Sequence, residues 1–159
     1  MENQYNTETQ QTPEFPMKWH KFLIYFSLWA GAVISLINAA TYFLGLHYGE
    51  SVQMVYAVYP GLSILDKLMG IVCLGILVFT VMTRFALAGY QAKGPKMLMV
   101  VYALNAVMSI VYVLLASMVS GLPLGDLMGS DVIGSLIGSA AMIFINRDYY
   151  NKRAALFTR

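Results

Sequence analysis

Long hydrophobic stretches alternate with short polar connections along this chain. Residues 22–46, 68–83 and 97–125 contain no Asp, Glu, Lys or Arg, and residues 127–145 contain a single charged residue, Asp131. About 20 residues of α-helix span the hydrocarbon core of a bilayer, at a rise of about 1.5 Å per residue. The pattern therefore predicts an all-α, polytopic membrane protein. Its four transmembrane helices are expected at about residues 22–46, 62–83, 97–119 and 127–145.

Composition supports this class. Hydrophobic residues make up 58% of the chain and charged residues only 11%, whereas soluble domains carry roughly 25% charged residues. The first apolar run is too long for the core of a cleaved signal peptide, and it follows a polar segment. The predicted organisation is a disordered polar tail (1–16), a transmembrane domain (17–146) and a basic tail (147–159).

The basic residues predict the orientation. All of them except Lys67 fall on one side of a four-helix arrangement: Lys18, Lys21, Arg84, Lys93, Lys96, Arg147, Lys152, Arg153 and Arg159. Cytoplasmic segments carry an excess of Lys and Arg. We therefore expect both termini in the cytoplasm.

Asp66 and Lys67 are adjacent charges at the start of the second predicted helix. With that helix centred near Leu74, they lie about 12 Å from its centre, close to the outer boundary of the membrane. Lys67 is expected to extend to the lipid headgroups, and Asp66 to reach water or the loop as a carboxylate at a helix N-terminus. The alternative is a functional role for Asp66 in contact with an ion or proton.

Polar and small residues recur at helical spacing inside the hydrophobic runs. They form stripes on three predicted helices: Ser27, Gly31, Ser35 and Asn38; Tyr102, Asn105, Ser109 and Tyr112; and the pairs Gly134 with Gly138 and Ser135 with Ser139. Such stripes favour close helix packing and interhelical hydrogen bonds. The alternative is a hydrophilic pathway or small-molecule pocket lined by Asn38 and Asn105. Both amides need hydrogen-bond partners, because an unsatisfied amide in lipid costs several kcal/mol.

The outer loop and the two interfacial segments suggest contacts with the membrane. Residues 47–61 show helical spacing of apolar and tyrosine side chains, typical of a short surface helix that is a lipid anchor, a lid or a partner interface. Trp19 and His20 are expected at the inner membrane interface. The basic C-terminal tail suits anionic lipid, and it lacks the folded basic surface typical of nucleic-acid binding.

Catalytic and metal-binding patterns are missing. The only metal-binding His and Cys candidates are His20, His47 and Cys73, and the histidines are predicted at opposite ends of the first helix. The sequence contains no glycine-rich phosphate loop and no nucleophile with a placed base. We therefore predict no enzyme activity, no cofactor and no metal.

Four segments resemble an uncharacterised family of small bacterial four-helix integral membrane proteins: MKWHKFLIYFSLWAG, VYAVYPGLSILDKLMGI, TRFALAGYQAKGPK and INRDYYNKR. Some members carry an N-terminal zinc ribbon, which this chain lacks. The expected role is an accessory or binding component of a bacterial cytoplasmic membrane, acting with a membrane-protein partner or as a homo-oligomer. The alternative is a small transporter or channel subunit that uses Asn38 and Asn105.

Overall fold

The computed structural model describes residues 17–158, which form helices joined by short connections. The predicted disordered tail, residues 1–16, lies outside the described residues. The α-helices are α1 (Lys18–Phe22), α2 (Leu28–Leu44), α3 (Val52–Val58), α4 (Pro60–Ala88), α5 (Gly94–Ser120), α6 (Leu124–Leu127) and α7 (Ser130–Asn151). A π-helical turn, Leu23–Ser27, joins α1 to α2, and 3₁₀ helices lie at Leu46–Ser51 and Ala154–Leu156. The all-α prediction is confirmed for the described residues.

The ends of the long helices follow local chemistry. Helix α2 stops at Gly45, which has the left-handed φ of +65° that glycine adopts without steric cost. Helix α4 begins with Pro60, whose fixed φ suits the first helical position. Helix α5 begins with Gly94 and Pro95 and stops at Gly121, which is also left-handed. The predicted helix bounds differ from these by a few residues, as helix ends usually do.

The long helices pack in chain order, α2 on α4, α4 on α5 and α5 on α7. Close approach of α4 and α5 depends on Gly94, where an added Cβ would lie 3.1 Å from the backbone nitrogen of Leu87. Within the described chain, α2 and α7 are not a closely packed pair. The first and last helices therefore leave a gap between them, with α5 behind it.

Side chains close this gap at one end, which we call the terminal end because the N- and C-terminal segments meet there. The indole nitrogen of Trp19 donates to Oδ1 of Asn146 over 3.0 Å, and Nδ1 of His20 lies 3.0 Å from the Tyr150 hydroxyl. Phe157 packs against His20 and Tyr150. His20 is fully buried within the protein, and its position at the inner membrane interface stays a prediction.

Arg84 is accommodated near the terminal end by the π-helical turn. Its Nε donates to the backbone oxygen of Ile24 over 3.3 Å, and its guanidinium lies over the rings of Trp29 and Phe85. A guanidinium in apolar surroundings needs such partners, because an unpaired buried charge is costly. The turn thus gives a basic side chain a fixed place against the first helix.

Three segments of the described chain are long and apolar enough to cross a membrane, by length and composition: Lys18–Val58, Pro60–Ala88 and Gly94–Ser120. Their outward faces carry large exposed side chains such as Phe26, Ile64 and Ile71. Soluble monomers rarely expose apolar patches of this extent. These features are consistent with a membrane protein and with the hydrophobic pattern of the sequence.

Candidate functional site at the loop end

A buried carboxylate lies at the end of the helices opposite the terminal end, which we call the loop end. Asp66, in the second turn of α4, has an exposed fraction of 0%. The Tyr56 hydroxyl donates to its Oδ2 over 2.8 Å, and the Tyr112 hydroxyl donates to its Oδ1 over 2.9 Å. Each carboxylate oxygen thus accepts one phenolic hydrogen bond, which partly replaces the water lost on burial.

Tyr112 connects this carboxylate to a histidine and a second tyrosine. Its hydroxyl lies 3.2 Å from Nε2 of His47 and 3.4 Å from the hydroxyl of Tyr48. The His47 Nε2 atom is also 3.6 Å from Oδ2 of Asp66. These five residues, His47, Tyr48, Tyr56, Asp66 and Tyr112, form one hydrogen-bonded cluster drawn from four elements, which we call the loop-end cluster.

The cluster forms because the chain turns back sharply after α2. Gly45 ends that helix, and the segment 46–58 folds over the start of α4. An added Cβ at Gly45 would lie 2.4 Å from Cγ2 of Val52 and 2.7 Å from the Tyr56 hydroxyl. Glycine is therefore needed both for the backbone angle and for the space through which Tyr56 reaches Asp66.

The charge of Asp66 has little compensation nearby. Within residues 17–158, no Lys or Arg nitrogen lies within 4.0 Å of its oxygens, and the adjacent Lys67 is exposed. His47 is the basic group that reaches it, and an ordinary imidazole is mostly uncharged at pH 7. A buried carboxylate with two hydroxyl donors and no permanent cation creates a negative potential around the cluster.

Two cavities adjoin the cluster and share part of their walls. The first, about 340 Å³, lies between α2, α5 and α7. Its lining is mixed, and includes Asn38, Thr41, Tyr42, Ser109 and Ser135. The second, about 330 Å³, is almost entirely apolar, with Val55, Tyr59, Leu62, Ala116 and Leu122 in its wall. Both cavities are lined by His47, Tyr112, Val113 and Leu127.

A third cavity, about 300 Å³, continues toward the terminal end and brings the two predicted amides together. Asn38 and Asn105 both line it, with Ser27 and Tyr102. The Asn105 side-chain nitrogen donates to the backbone oxygen of Val101 in its own helix. Because Asn38 lines both this cavity and the mixed one, polar groups follow the gap along α2 from one cavity to the next.

The position of Asp66 at the outer boundary of the membrane stays a prediction, and its side chain reaches the loop through Tyr56. Helix α4 begins at Pro60 and has no acidic residue in its first turn, so Asp66 is not a terminal carboxylate that reaches water. The segment 46–58 covers it instead. Lys67 is exposed, as that prediction requires.

The predicted packing residues divide into two groups. Ser35 and Ser139 are buried, and an added Cβ at Gly31 would lie 3.9 Å from Thr80 of α4. At Gly134 and Gly138 an added Cβ would meet no atom of the described chain within 4 Å. These glycines therefore make no close contact within the described protein. The prediction that they are helix-packing residues is corrected to this extent for contacts within one chain.

His47, Tyr48 and Tyr56 were not predicted as site residues. The helical spacing of Val52, Val55, Tyr56 and Tyr59 indicates a short helix, and α3 is found there. It does not indicate which face turns toward Asp66. The burial of a charge could have indicated them. An acidic residue within an apolar stretch needs hydrogen-bond donors, and the tyrosines of the preceding loop are the nearest donors in the sequence.

Comparisons with protein-family models, curated proteins and solved structures find no match to this chain.

Proposed function

We propose that this chain is a multi-pass protein of a bacterial cytoplasmic membrane that acts as a binding or accessory component, with its ligand site in the loop-end cavities. In this proposal α7 is a fourth membrane-spanning helix and both termini are cytoplasmic. The distribution of Lys and Arg supports that orientation. It places the loop-end cluster at the outer boundary, where a ligand can enter from the outer side or from the lipid.

The observation that carries the proposal is the pair of adjoining cavities. Ligand sites combine apolar walls with a few convergent polar groups, and they often lie between the helices of a bundle. Here the apolar and the mixed cavity meet at His47 and Tyr112, which belong to the hydrogen-bonded cluster. Buried polar groups are costly unless they are hydrogen-bonded, and an ionisable residue inside an apolar helix marks a candidate functional site.

Filling the mixed cavity is expected to expel a bound molecule. Ser135 lines this cavity, whereas Ile137, two residues further along α7, has an exposed fraction of 66% and lines none of the three cavities. We expect native mass spectrometry of protein purified in mild detergent to find roughly one retained molecule per chain in the wild type. Ser135→Trp should lose it, and Ile137→Trp should retain it.

The proposal would be contradicted if the purified wild-type protein retained no small molecule and no protein partner. Equal retention by both tryptophan variants would also contradict it, because the ligand would then lie elsewhere.

A second candidate function is a small transporter or channel subunit. The observation that favours it is the position of Asn38 in the wall of two successive cavities. These cavities extend from Phe26 in the π-helical turn to Thr41 in α2, about 22 Å at 1.5 Å per residue, against about 30 Å for the hydrocarbon core. Amides at this depth supply hydrogen bonds to a polar solute that lipid cannot supply.

Reconstitution in liposomes separates the two candidates. A transporter is expected to raise glycerol or proton flux about ten-fold above empty liposomes, and Asn38→Leu or Asn105→Leu should return it to background. Asn151→Leu is the matched control, because this amide is exposed at the end of α7. An absence of flux in the wild type rejects the transporter and leaves the binding component in place.

A further inference from the structure

We infer that the ligand of the loop-end cavities is an amphipathic organic cation, with its ammonium group in the mixed cavity and its apolar part in the apolar cavity. This inference rests on the proposed binding function and names the chemical class of the ligand. It is argued from the charge of Asp66, the aromatic walls and the shape of the paired cavities.

Charge is the first argument. Asp66 is fully buried, and its one basic neighbour in the described chain is His47. The two residues that stand between this carboxylate and the cavities, His47 and Tyr112, line both of them. A cation in either cavity is therefore one side chain away from a buried carboxylate with which no Lys or Arg of the described chain pairs, in surroundings of low dielectric constant, where attraction is strong.

The aromatic walls are the second argument. Tyr42, His47 and Tyr112 line the mixed cavity, and the Tyr42 ring centroid lies 5.1 Å from that of Tyr112 and 5.4 Å from that of His47. Both pairs are edge-on arrangements, so the rings form an angled surface instead of a flat stack. Sites for quaternary ammonium groups are commonly built from several aromatic side chains around one cavity.

The hydroxyl orientations strengthen this preference. Because Tyr56 and Tyr112 donate their protons to Asp66, their oxygens are left as acceptors with increased negative charge. Hydrogen bonds in such chains polarise one another. The ring of Tyr112 is therefore a better partner for a cation than a phenol that donates to a neutral acceptor.

A metal ion fits the cluster poorly. Calcium takes six to eight oxygen ligands and magnesium nearly ideal octahedral coordination. Both oxygens of Asp66 already accept hydrogen bonds, and the described residues contain no group of three His, Cys, Asp or Glu that could hold a metal. An organic cation needs no inner-sphere carboxylate, so it can bind the cluster as it stands.

The apolar cavity indicates that the ligand is amphipathic. Its walls are side chains such as Val55, Leu62 and Ala116, and it adjoins the mixed cavity at the His47 and Tyr112 side chains. An alkyl or aryl group attached to the ammonium can occupy it and leave water, a gain of about 25 cal/mol per Å² of apolar surface buried. A small hydrophilic cation would leave this cavity empty.

The test compares a cation with its neutral counterpart. The probe is benzyldimethyl(hydroxyethyl)ammonium, and the control ligand is the analogue in which carbon replaces the ammonium nitrogen. Calorimetric titration of the full chain in maltoside micelles is expected to show at least about ten-fold tighter binding of the cation. Asp66→Asn should abolish this preference, whereas Asp126→Asn, which removes an exposed carboxylate at the same end, should leave it unchanged.

A second pair of variants tests the aromatic wall without touching Asp66. Tyr42→Leu is expected to weaken cation binding about five-fold or more, and Tyr42→Phe, which keeps the ring, should bind as the wild type does. Nanodiscs identify the source of the ammonium group. If phosphatidylethanolamine, but not phosphatidylglycerol, displaces the probe, the natural ligand is a lipid headgroup; if neither displaces it, the ligand is a free cation.

Equal binding of the cation and its neutral analogue, or an unchanged preference in Asp66→Asn, would overturn the inference. The proposed binding function would then still stand if Ser135→Trp removed a retained molecule. Failure of both experiments would reject the site itself, so the two outcomes are distinguishable.

Discussion

Replacing Gly45 with Ala is expected to disrupt the loop end and to destabilise the protein. The substitution imposes a left-handed φ on an L-residue, which costs about 1 kcal/mol. It also places a Cβ 2.4 Å from Val52 and 2.7 Å from the Tyr56 hydroxyl. Relieving that overlap moves Tyr56 away from Asp66, and a buried carboxylate loses a charge-assisted hydrogen bond worth about 1.5–3 kcal/mol.

Gly121→Ala is the matched control. Gly121 ends α5 with a φ of +71°, and an added Cβ there meets no described atom within 4 Å. The control should lower the unfolding free energy by about 1 kcal/mol, and Gly45→Ala by about 3 kcal/mol or more. Titration with denaturing detergent, followed by circular dichroism, measures the difference. Equal losses would show that Val52 and Tyr56 relax freely and that the close approach at Gly45 is unimportant.

The helices were predictable because their signal is local. A run without charges, ended by Gly or Pro, identifies a long apolar helix regardless of its neighbours, and the described chain contains long helices at all four predicted positions. Their bounds were less predictable. The extension of the first helix back to Lys18 depends on Trp19 and His20, which pack against residues more than a hundred positions away.

The candidate site was predictable only in part, because it depends on tertiary contacts. The sequence places Tyr112 and Asn105 on one stripe of α5, and both line cavities. The burial of Asp66, however, depends on the segment 46–58 folding back over α4. That path depends on a left-handed glycine and on the reach of Tyr56, which hydrophobic spacing does not encode.

The glycines of α7 also show that a sequence pattern does not identify a packing partner. Spacing of four residues identifies a stripe on which another helix can approach closely, but it does not identify that helix. An added Cβ at Gly134 or Gly138 would meet no described atom within 4 Å. Their use in a homo-oligomer or against a partner stays a prediction.

Replacing Tyr112 with Phe is expected to destabilise the loop-end cluster and weaken cation binding together. The change deletes one hydroxyl, yet that hydroxyl donates to Asp66 and lies within hydrogen-bonding distance of His47 and Tyr48. Removing a donor to a buried carboxylate leaves one of its oxygens without that hydrogen bond, a loss of about 1.5–3 kcal/mol. Tyr59→Phe is the control, because the Tyr59 ring lines the apolar cavity outside the cluster and its change should cost under about 0.5 kcal/mol.

A double-mutant cycle with Asp66→Asn tests whether the hydroxyl acts through the carboxylate. In the Asp66→Asn background the charge that makes the hydrogen bond strong is absent, so Tyr112→Phe should cost about 1–2 kcal/mol less than in the wild type. The same cycle is measured for the affinity of the ammonium probe. Equal costs in both backgrounds would mean that the Tyr112 hydroxyl acts through His47 or Tyr48 and that the Asp66 interaction contributes nothing measurable. A reduced cost identifies the Tyr112–Asp66 hydrogen bond as the link between the stability of the loop end and its preference for a cation.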